Sequence, residues 1–270
     1  MKKLILLIFL LISAGAFYPA LAIAIDSYKG TAFDRDLDAA VYKADEILRY
    51  DVTWMGIKAG ELSMEVKKSP DAPDRYVFLM TARTTGLLDL LYPVEDSFET
   101  ILEGENRLPV LHVMNQKEGR RRNRKETVYD QQAGTITYRK NDFSPVVYTV
   151  TGFVHNEFSA FLAMRPLLFS AGQSVIVPTF ADKKRHEVKV EVLEREDLET
   201  VLGRKPTISV VPRLPFKGLY EKVGDPQVWL TDDLQRIPVK ISAKIKIGAL
   251  TATLQEYARV DRSDRPNSKD

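Results

Sequence analysis

Between Trp229 and Tyr257 the chain alternates. Ile237, Val239, Ile241, Ala243, Ile245 and Ile247 are apolar, and the residues between them are proline, lysine and serine. Successive side chains of a strand point to opposite faces, so this stretch predicts a strand with one dry face and one wetted, lysine-rich face. Gly248 interrupts, and Leu250, Ala252 and Leu254 resume the alternation, which predicts a turn and a returning antiparallel strand.

The same rhythm runs through most of the chain. Leu48, Tyr50, Val52 and Trp54 share one parity, and Met55-Gly56 marks a turn. In the returning strand Ile57 and Ala59 are odd-numbered, whereas Leu62, Met64 and Val66 are even. An extra residue near Gly60 explains the slip, because a bulge re-aims the apolar face and glycine often marks one. Ser69 to Asp74 reads as a turn. Residues 75–85 form a third strand, apolar on both faces, expected to be central in a sandwich or covered by a helix. Further strands are predicted over 96–103, 108–116, 124–129, 135–139, 146–150, 174–180, 186–193 and 207–211, with acidic turn 194–199. GLLDLL (86–91) reads as a helical turn or a capping loop. One helix stands out, over 156–165: Asn156 is a favoured N-cap, Phe158, Phe161, Leu162 and Arg165 follow at helical spacing, and Pro166 stops it. The pattern predicts an all-β, mostly antiparallel domain over 45–260, a strongly curved sheet or open β-barrel with that helix packed against it.

The ends differ from this body. Lys2 and Lys3, the apolar run Leu4–Ile12 and Ala20-Leu21-Ala22 read as a cleaved targeting signal over 1–22. Its apolar run is shorter than the ~20 residues a membrane helix needs, so the expectation is export to the periplasm, soluble or in peripheral membrane contact. Residues 23–44 read as a leader or short helix, and 261–270 as a disordered tail. The formal charge of +2 falls to zero when Lys2 and Lys3 leave with the signal. That balance argues against a general nucleic-acid binder. With no cysteine, a disulfide framework, a thiolate nucleophile and a zinc–sulfur site are excluded.

Candidate chemistry is sparse. His112, His155 and His186 have no nucleophile or carboxylate at a diagnostic spacing, and no elbow, metal-pair or phosphate-loop motif occurs. Acidic groups gather at Glu95, Asp96 and Glu99 and at Asp232-Asp233. A hydrolase would need such a pair to converge, while Asp232-Asp233 equally suits a turn. No metal ligand set and no cofactor is implied, and catalysis is not expected. The sharpest charge feature is Lys117, Arg120, Arg121, Arg122, Arg124 and Lys125. It reads either as a hairpin tip that meets anionic headgroups or as a solvated tip that guards a strand edge. The apolar side chains Tyr50, Trp54, Phe78, Met80, Phe161 and Leu162 would fill a core or line a cavity for an acyl chain.

Three segments together resemble a known family. EILRYDVTWMGIKAGEL (46–62), HNEFSAFLAMR (155–165) and VWLTDDLQRIPVKI (228–241) are similar in pattern and order to domain-of-unknown-function family 3108, exported bacterial proteins with no assigned activity. The resemblance implies a curved β protein of the Gram-negative envelope and supplies no catalytic residues. Its architecture is similar to that of periplasmic carriers that cradle acyl chains in a half-barrel, an analogy of fold only. The expected function is therefore binding of a hydrophobic or lipidic envelope component, or accessory work in envelope assembly. A protein-interaction scaffold with a filled core, using a strand edge or the Lys240/Lys244 face, is the alternative, and a glycan hydrolase the third reading.

Overall fold

The computed structural model describes residues 34–69, 72, 74–169, 174–215, 224–245 and 247–260. The targeting segment, most of the leader, Lys246 and the tail lie outside them. Among the described residues fourteen strands form one antiparallel sheet. They are β1 (Asp45–Trp54), β2 (Ile57–Lys68), β3 (Arg75–Thr84), β4 (Val94–Glu103), β5 (Leu108–Glu118), β6 (Arg121–Asp130), β7 (Thr135–Lys140) and β8 (Val146–Thr149), then β9 (Ser174–Ala181), β10 (Lys184–Thr200), β11 (Gly203–Arg213), β12 (Gln227–Thr231), β13 (Pro238–Lys244) and β14 (Ala249–Val260). Strands consecutive within β1–β8 and within β9–β14 are neighbours, and β1 pairs with β14 to join the two runs. Hairpin turns therefore alternate between two ends. The upper end carries the β1–β2, β3–β4, β5–β6, β7–β8, β9–β10, β11–β12 and β13–β14 connections, and the lower end the others.

Curvature comes from register shifts. Val52 pairs with Gly60 and Thr53 with Lys58, leaving Ala59 extra, so the predicted bulge sits beside Gly60. Further shifts fall between β1 and β14, β4 and β5, β10 and β11, and β12 and β13. Each bends its strand and turns the sheet further around its concave side. At Gly60 the chains approach so closely that a Cβ would stand 2.3 Å from the carbonyl oxygen of Arg83. Gly60→Ala is expected to cost about 2 kcal/mol through forced backbone displacement, read as a lowered urea midpoint.

The sheet curls without closing: β8 and β9 are its edges. Phe180 of β9 nevertheless packs against Tyr148 of β8 and Tyr129 of β6, ring centroids 5.7 and 6.4 Å away. His155 makes a parallel bridge to Thr179 at the free edge of β9. The Gln131 amide donates to the carbonyls of Pro109 and Val154, at 2.9 and 3.0 Å, pinning this connection across the gap.

Among the described residues three helices add to the sheet: α1 (Arg35–Val41), α2 (Gly86–Leu91) and α3 (Glu157–Ala163). Helix α3 is the predicted one, while α1 and α2 realise the helical options for the leader and for GLLDLL. The segment read as a leader packs with the domain, since Val41 and Tyr42 are buried in the main core. Three other expectations change. Residues 194–199 do not turn; they continue β10 to Thr200, and the chain reverses only before Gly203. The third strand is neither sandwiched nor covered by a helix. Its outer Val77 instead joins a cross-strand row through Ile101, Leu111 and Val128, and such neighbours stabilise a sheet face. Ile247, predicted on the dry face, is exposed because the strand ends at Lys244 and Ile247 falls in the turn.

Candidate functional site

Helix α3 lies on the concave side and creates the site. The Asn156 side chain accepts from the Ser159 N–H at 2.7 Å, and the Ser159 hydroxyl accepts from the Asn156 N–H at 2.9 Å. This reciprocal cap satisfies donors that a buried helix start would otherwise strand. The helix runs down from the seam, and just past its end the Arg165 guanidinium pairs with Glu46 at 2.8 Å in full burial. Phe158 stacks on Phe98 and on His112, ring centroids 4.6 and 4.9 Å apart. Phe161 bridges the two large hydrophobic clusters, one under β1–β5, β13 and β14, the other under β9–β12.

Between the helix and the sheet lies an apolar cavity of about 210 Å³. Phe158, Ala160, Phe161 and Met164 form its helical wall; Leu62, Met64, Met80, Val177, Val188, Val190, Val228 and Ile241 form its sheet wall. Pro212, Leu214 and Pro226 bound it toward the upper end. Apolar cavities of roughly 150 Å³ stay dry and accept benzene-sized molecules. Besides Thr179, Glu157 is the polar residue of the lining. Its Oε1 has no hydrogen-bond partner. Burial, reinforced by Asp182 and opposed by Lys125, pushes its carboxyl up to about 8, so Glu157 is a neutral acid at pH 7.

A polar wall continues from it across the upper ends of β4–β6. Asp96, Gln116 and Glu118 are buried and face inward. Burial raises Asp96 to about 6 and Glu118 to about 7, Glu95 adding to the shift of Asp96 and Asp96 to that of Glu118. Lys125 is held below its ordinary value, first by burial and then by Lys140. Asp96 accepts the Lys117 N–H at 2.9 Å through Oδ1, and the Gln116 amide donates to Glu118 at 3.1 Å.

The apolar residues singled out in the sequence divide three ways. Met80 and Phe161 line the cavity. Tyr50, Phe78 and Leu162 are buried in the main core, the Tyr50 hydroxyl donating to the Pro238 carbonyl at 2.7 Å. Trp54 stands half-buried at the upper end, its Nε1 donating to the Ile247 carbonyl at 2.9 Å.

The basic run is not one tip. Strand β6 begins at Arg121, so Lys117 and Arg124 lie on strands, facing outward and paired with Glu95 and Glu126 at 3.1 and 3.0 Å. Lys125, predicted to meet anionic groups outside, faces inward, because strand parity places it with Thr127 and Tyr129. Arg120, Arg121 and Arg122 remain exposed around the turn.

The histidines are buried. His112 and His155 are pushed down to about 4 by desolvation, His112 lying 2.9 Å from the Thr100 hydroxyl. His186, the first residue of the strand predicted over 186–193, belongs to β10, its Nε2 3.0 Å from the Ala181 carbonyl. Asp233 serves the β12–β13 turn, accepting from the N–H groups of Gln235 and Arg236, and Asp232 pairs with Arg195 and Arg236. These two acids are at the lower end, Glu95 and Asp96 at the upper. The convergence a hydrolase would need from these four is not formed. Lys240 lies over Trp229, 4.4 Å from the ring centroid.

Sequence reasoning missed Glu157 and the inward group of Gln116, Glu118 and Lys125. Parity alone places Lys125 inside, but its five basic neighbours suggested a shared exposed face.

Among solved structures, the chain is similar to a beta-barrel-like protein of domain-of-unknown-function family 1849 from Brucella abortus. The TM-score is 0.54 at 11% identity, covering 82% of this chain and 100% of that one. The hypothetical protein CT021 from Chlamydia trachomatis aligns with a TM-score of 0.38 at 8% identity, over 84% of this chain and 92% of that one. No curated protein matches. The family described as "Protein of unknown function (DUF3108)" matches residues 49–255, and the chain belongs to that family.

Proposed function

We propose that the protein is exported to the periplasm and there binds, without catalysis, the hydrophobic part of an envelope component in the cavity beneath α3. The carrying observation is the chemistry of that cavity: aliphatic and aromatic walls with a single carboxyl, held neutral by burial. An apolar chain gains by leaving water for such a space. The neutral Glu157 carboxyl adds an O–H donor suited to an ester or amide carbonyl near one end of the chain. The resemblance to a barrel-like neighbour supports the architecture alone.

The test is native mass spectrometry with solvent extraction, on protein purified from a periplasm without detergent. The expected result is a reproducible extra mass that extracts as lipid. Ala160→Phe, which fills the cavity from the helix side, is expected to lose that mass while still unfolding cooperatively. A clean apo mass for the unaltered chain would overturn the reading. It would favour the scaffold, for which the exposed Val146 and Val147 on the edge strand β8 speak.

A further inference from the structure

The upper end of the sheet carries a surface that the cavity does not explain. Helix α2 has no buried residue; Leu87 and Leu90 are 71% and 82% exposed, and Leu91 is exposed beside them. Packing does not hold this helix in place. Polar contacts do: the Thr84 hydroxyl donates to Asp89 at 2.8 Å and accepts from the Val94 N–H at 2.9 Å. Next to it, the β1–β2 turn presents Met55 and Ile57 at 65% and 70% exposure. The Thr85 N–H bonds the Ala59 carbonyl at 3.2 Å, which ties α2 to the start of β2. Met55 in turn lies against Gly248, so the exposed Ile247 belongs to the same patch. A soluble surface rarely gathers this many large aliphatic side chains in one place unless something covers them.

The charge beside the patch identifies the cover. The Gly119 N–H bonds the Pro93 carbonyl at 2.7 Å, and a Cβ on Gly119 would stand 3.1 Å from the Tyr92 ring. The β5–β6 turn is thereby fixed against the end of α2, and Arg120–Arg122 flank the leucines. Elsewhere on the outer face charges are paired across strands, as in Arg49–Glu256, Arg83–Glu61, Arg75–Glu103 and Arg213–Glu191. Among the described residues Arg120, Arg121 and Arg122 form no ion pair with a carboxylate; the Arg122 guanidinium bonds the Gly119 and Arg121 carbonyls. The nearby acids are engaged, Asp89 by Thr84 and Glu95 by Lys117.

We infer that this end docks on a bilayer with anionic headgroups, the aliphatic side chains of α2 and of the β1–β2 and β13–β14 turns entering the interface while Arg120, Arg121 and Arg122 meet phosphates. Aliphatic insertion combined with basic residues at headgroup level is what holds peripheral proteins on anionic membranes. The wall formed by Pro212, Leu214 and Pro226 bounds the cavity toward the same end, so docking would place it near the lipid. The inference does not depend on what the cavity holds.

The experiment is sedimentation with vesicles of phosphatidylcholine alone and of phosphatidylcholine–phosphatidylglycerol. The protein is expected to partition onto the anionic vesicles only, and less so at about 0.5 M salt, where headgroup attraction is screened within a few ångströms. Replacing Arg120, Arg121 and Arg122 together by serine is expected to reduce partitioning about 100-fold, from roughly fivefold per arginine. Replacing Leu87, Leu90 and Leu91 by serine is expected to abolish it. Val201→Ser with Leu234→Ser, exposed apolar positions of the lower end, is expected to leave it unchanged. The variants sit at exposed positions, and thermal melts confirm their folding. Absence of binding by the unaltered chain, or binding that survives both upper-end variants, would overturn the inference. So would loss in the leucine variant alone with equal affinity for neutral vesicles, which would remove the headgroup contact.

Discussion

Arg165→Met is expected to destabilise the fold by about 3–5 kcal/mol. The Arg165 guanidinium is 1% exposed, and the Glu46 carboxylate it meets is fully enclosed. Its Nη1 and Nη2 reach the two Glu46 oxygens at 2.8 and 3.3 Å. Its Nε and Nη2 also donate to the carbonyls of Arg236 and Gln235 at 3.0 and 2.9 Å. The Tyr257 hydroxyl completes the carboxylate at 2.9 Å. One side chain thus ties the end of α3 to β1 and to the β12–β13 turn and, through Glu46, to β14. Removing it leaves a buried carboxylate short of its main partner, and that orphaned charge is the larger part of the cost. Urea titration measures the loss as a lower midpoint at an unchanged slope. The double variant Glu46→Leu/Arg165→Met removes both charges and is expected to recover most of the stability. Equal losses in the single and double variants would show that shape, and not the uncompensated charge, is what matters there.

The sequence makes the sheet legible because its signal is local. Alternation gave thirteen of the strand regions and the bulge at Gly60, since a one-residue slip in parity leaves a visible scar between Ala59 and Leu62. The Asn156 cap was equally local. What the alternation does not carry is distance along the chain. Nothing near Glu46 announces Arg165, and nothing near Glu157 announces Lys125 or Asp182; these meet only when the sheet curls. The same limit explains the basic run. Six cations close in sequence looked like one surface, yet a strand sends Arg124 and Lys125 to opposite faces. Nor does an apolar side chain reveal whether it fills space or borders it. Phe78 and Met80 are two residues apart on one face of β3, and the first is sealed in the core while the second lines the cavity. The upper-end leucines were visible as a string, GLLDLL, but their exposure depends on α2 resting on polar anchors.

Raising the pH from 6.5 to 8.5 is expected to lower the stability of the unliganded protein by about 2 kcal/mol, chiefly through Glu157. In the unfolded chain this carboxyl titrates near 4.3; in the fold, burial raises it to about 8. Between those values the native protein holds a proton that the unfolded chain has released, so stability is lost as the pH climbs through the folded value. Asp96 and Glu118, raised to about 6 and 7, act in the same direction and finish earlier. His112 and His155, lowered to about 4, act oppositely, because they charge on unfolding, but their effect ends near pH 6.5. Lys125, also lowered, opposes the loss at still higher pH. The interval above pH 7 therefore isolates Glu157 from the histidines. Glu157→Gln keeps the size and stays neutral, so its melting temperature is expected to vary little between pH 7 and 8.5 and to exceed that of the unaltered chain at the upper limit. The two chains should melt most alike below about pH 4, where the carboxyl is protonated in the folded and the unfolded chain alike. Parallel curves for the two proteins across the whole range would mean that Glu157 ionises at its ordinary value, with its carboxyl in water and outside the apolar cavity. A flattened curve would place a neutral acid against the cavity, able to donate one hydrogen bond to an otherwise apolar guest.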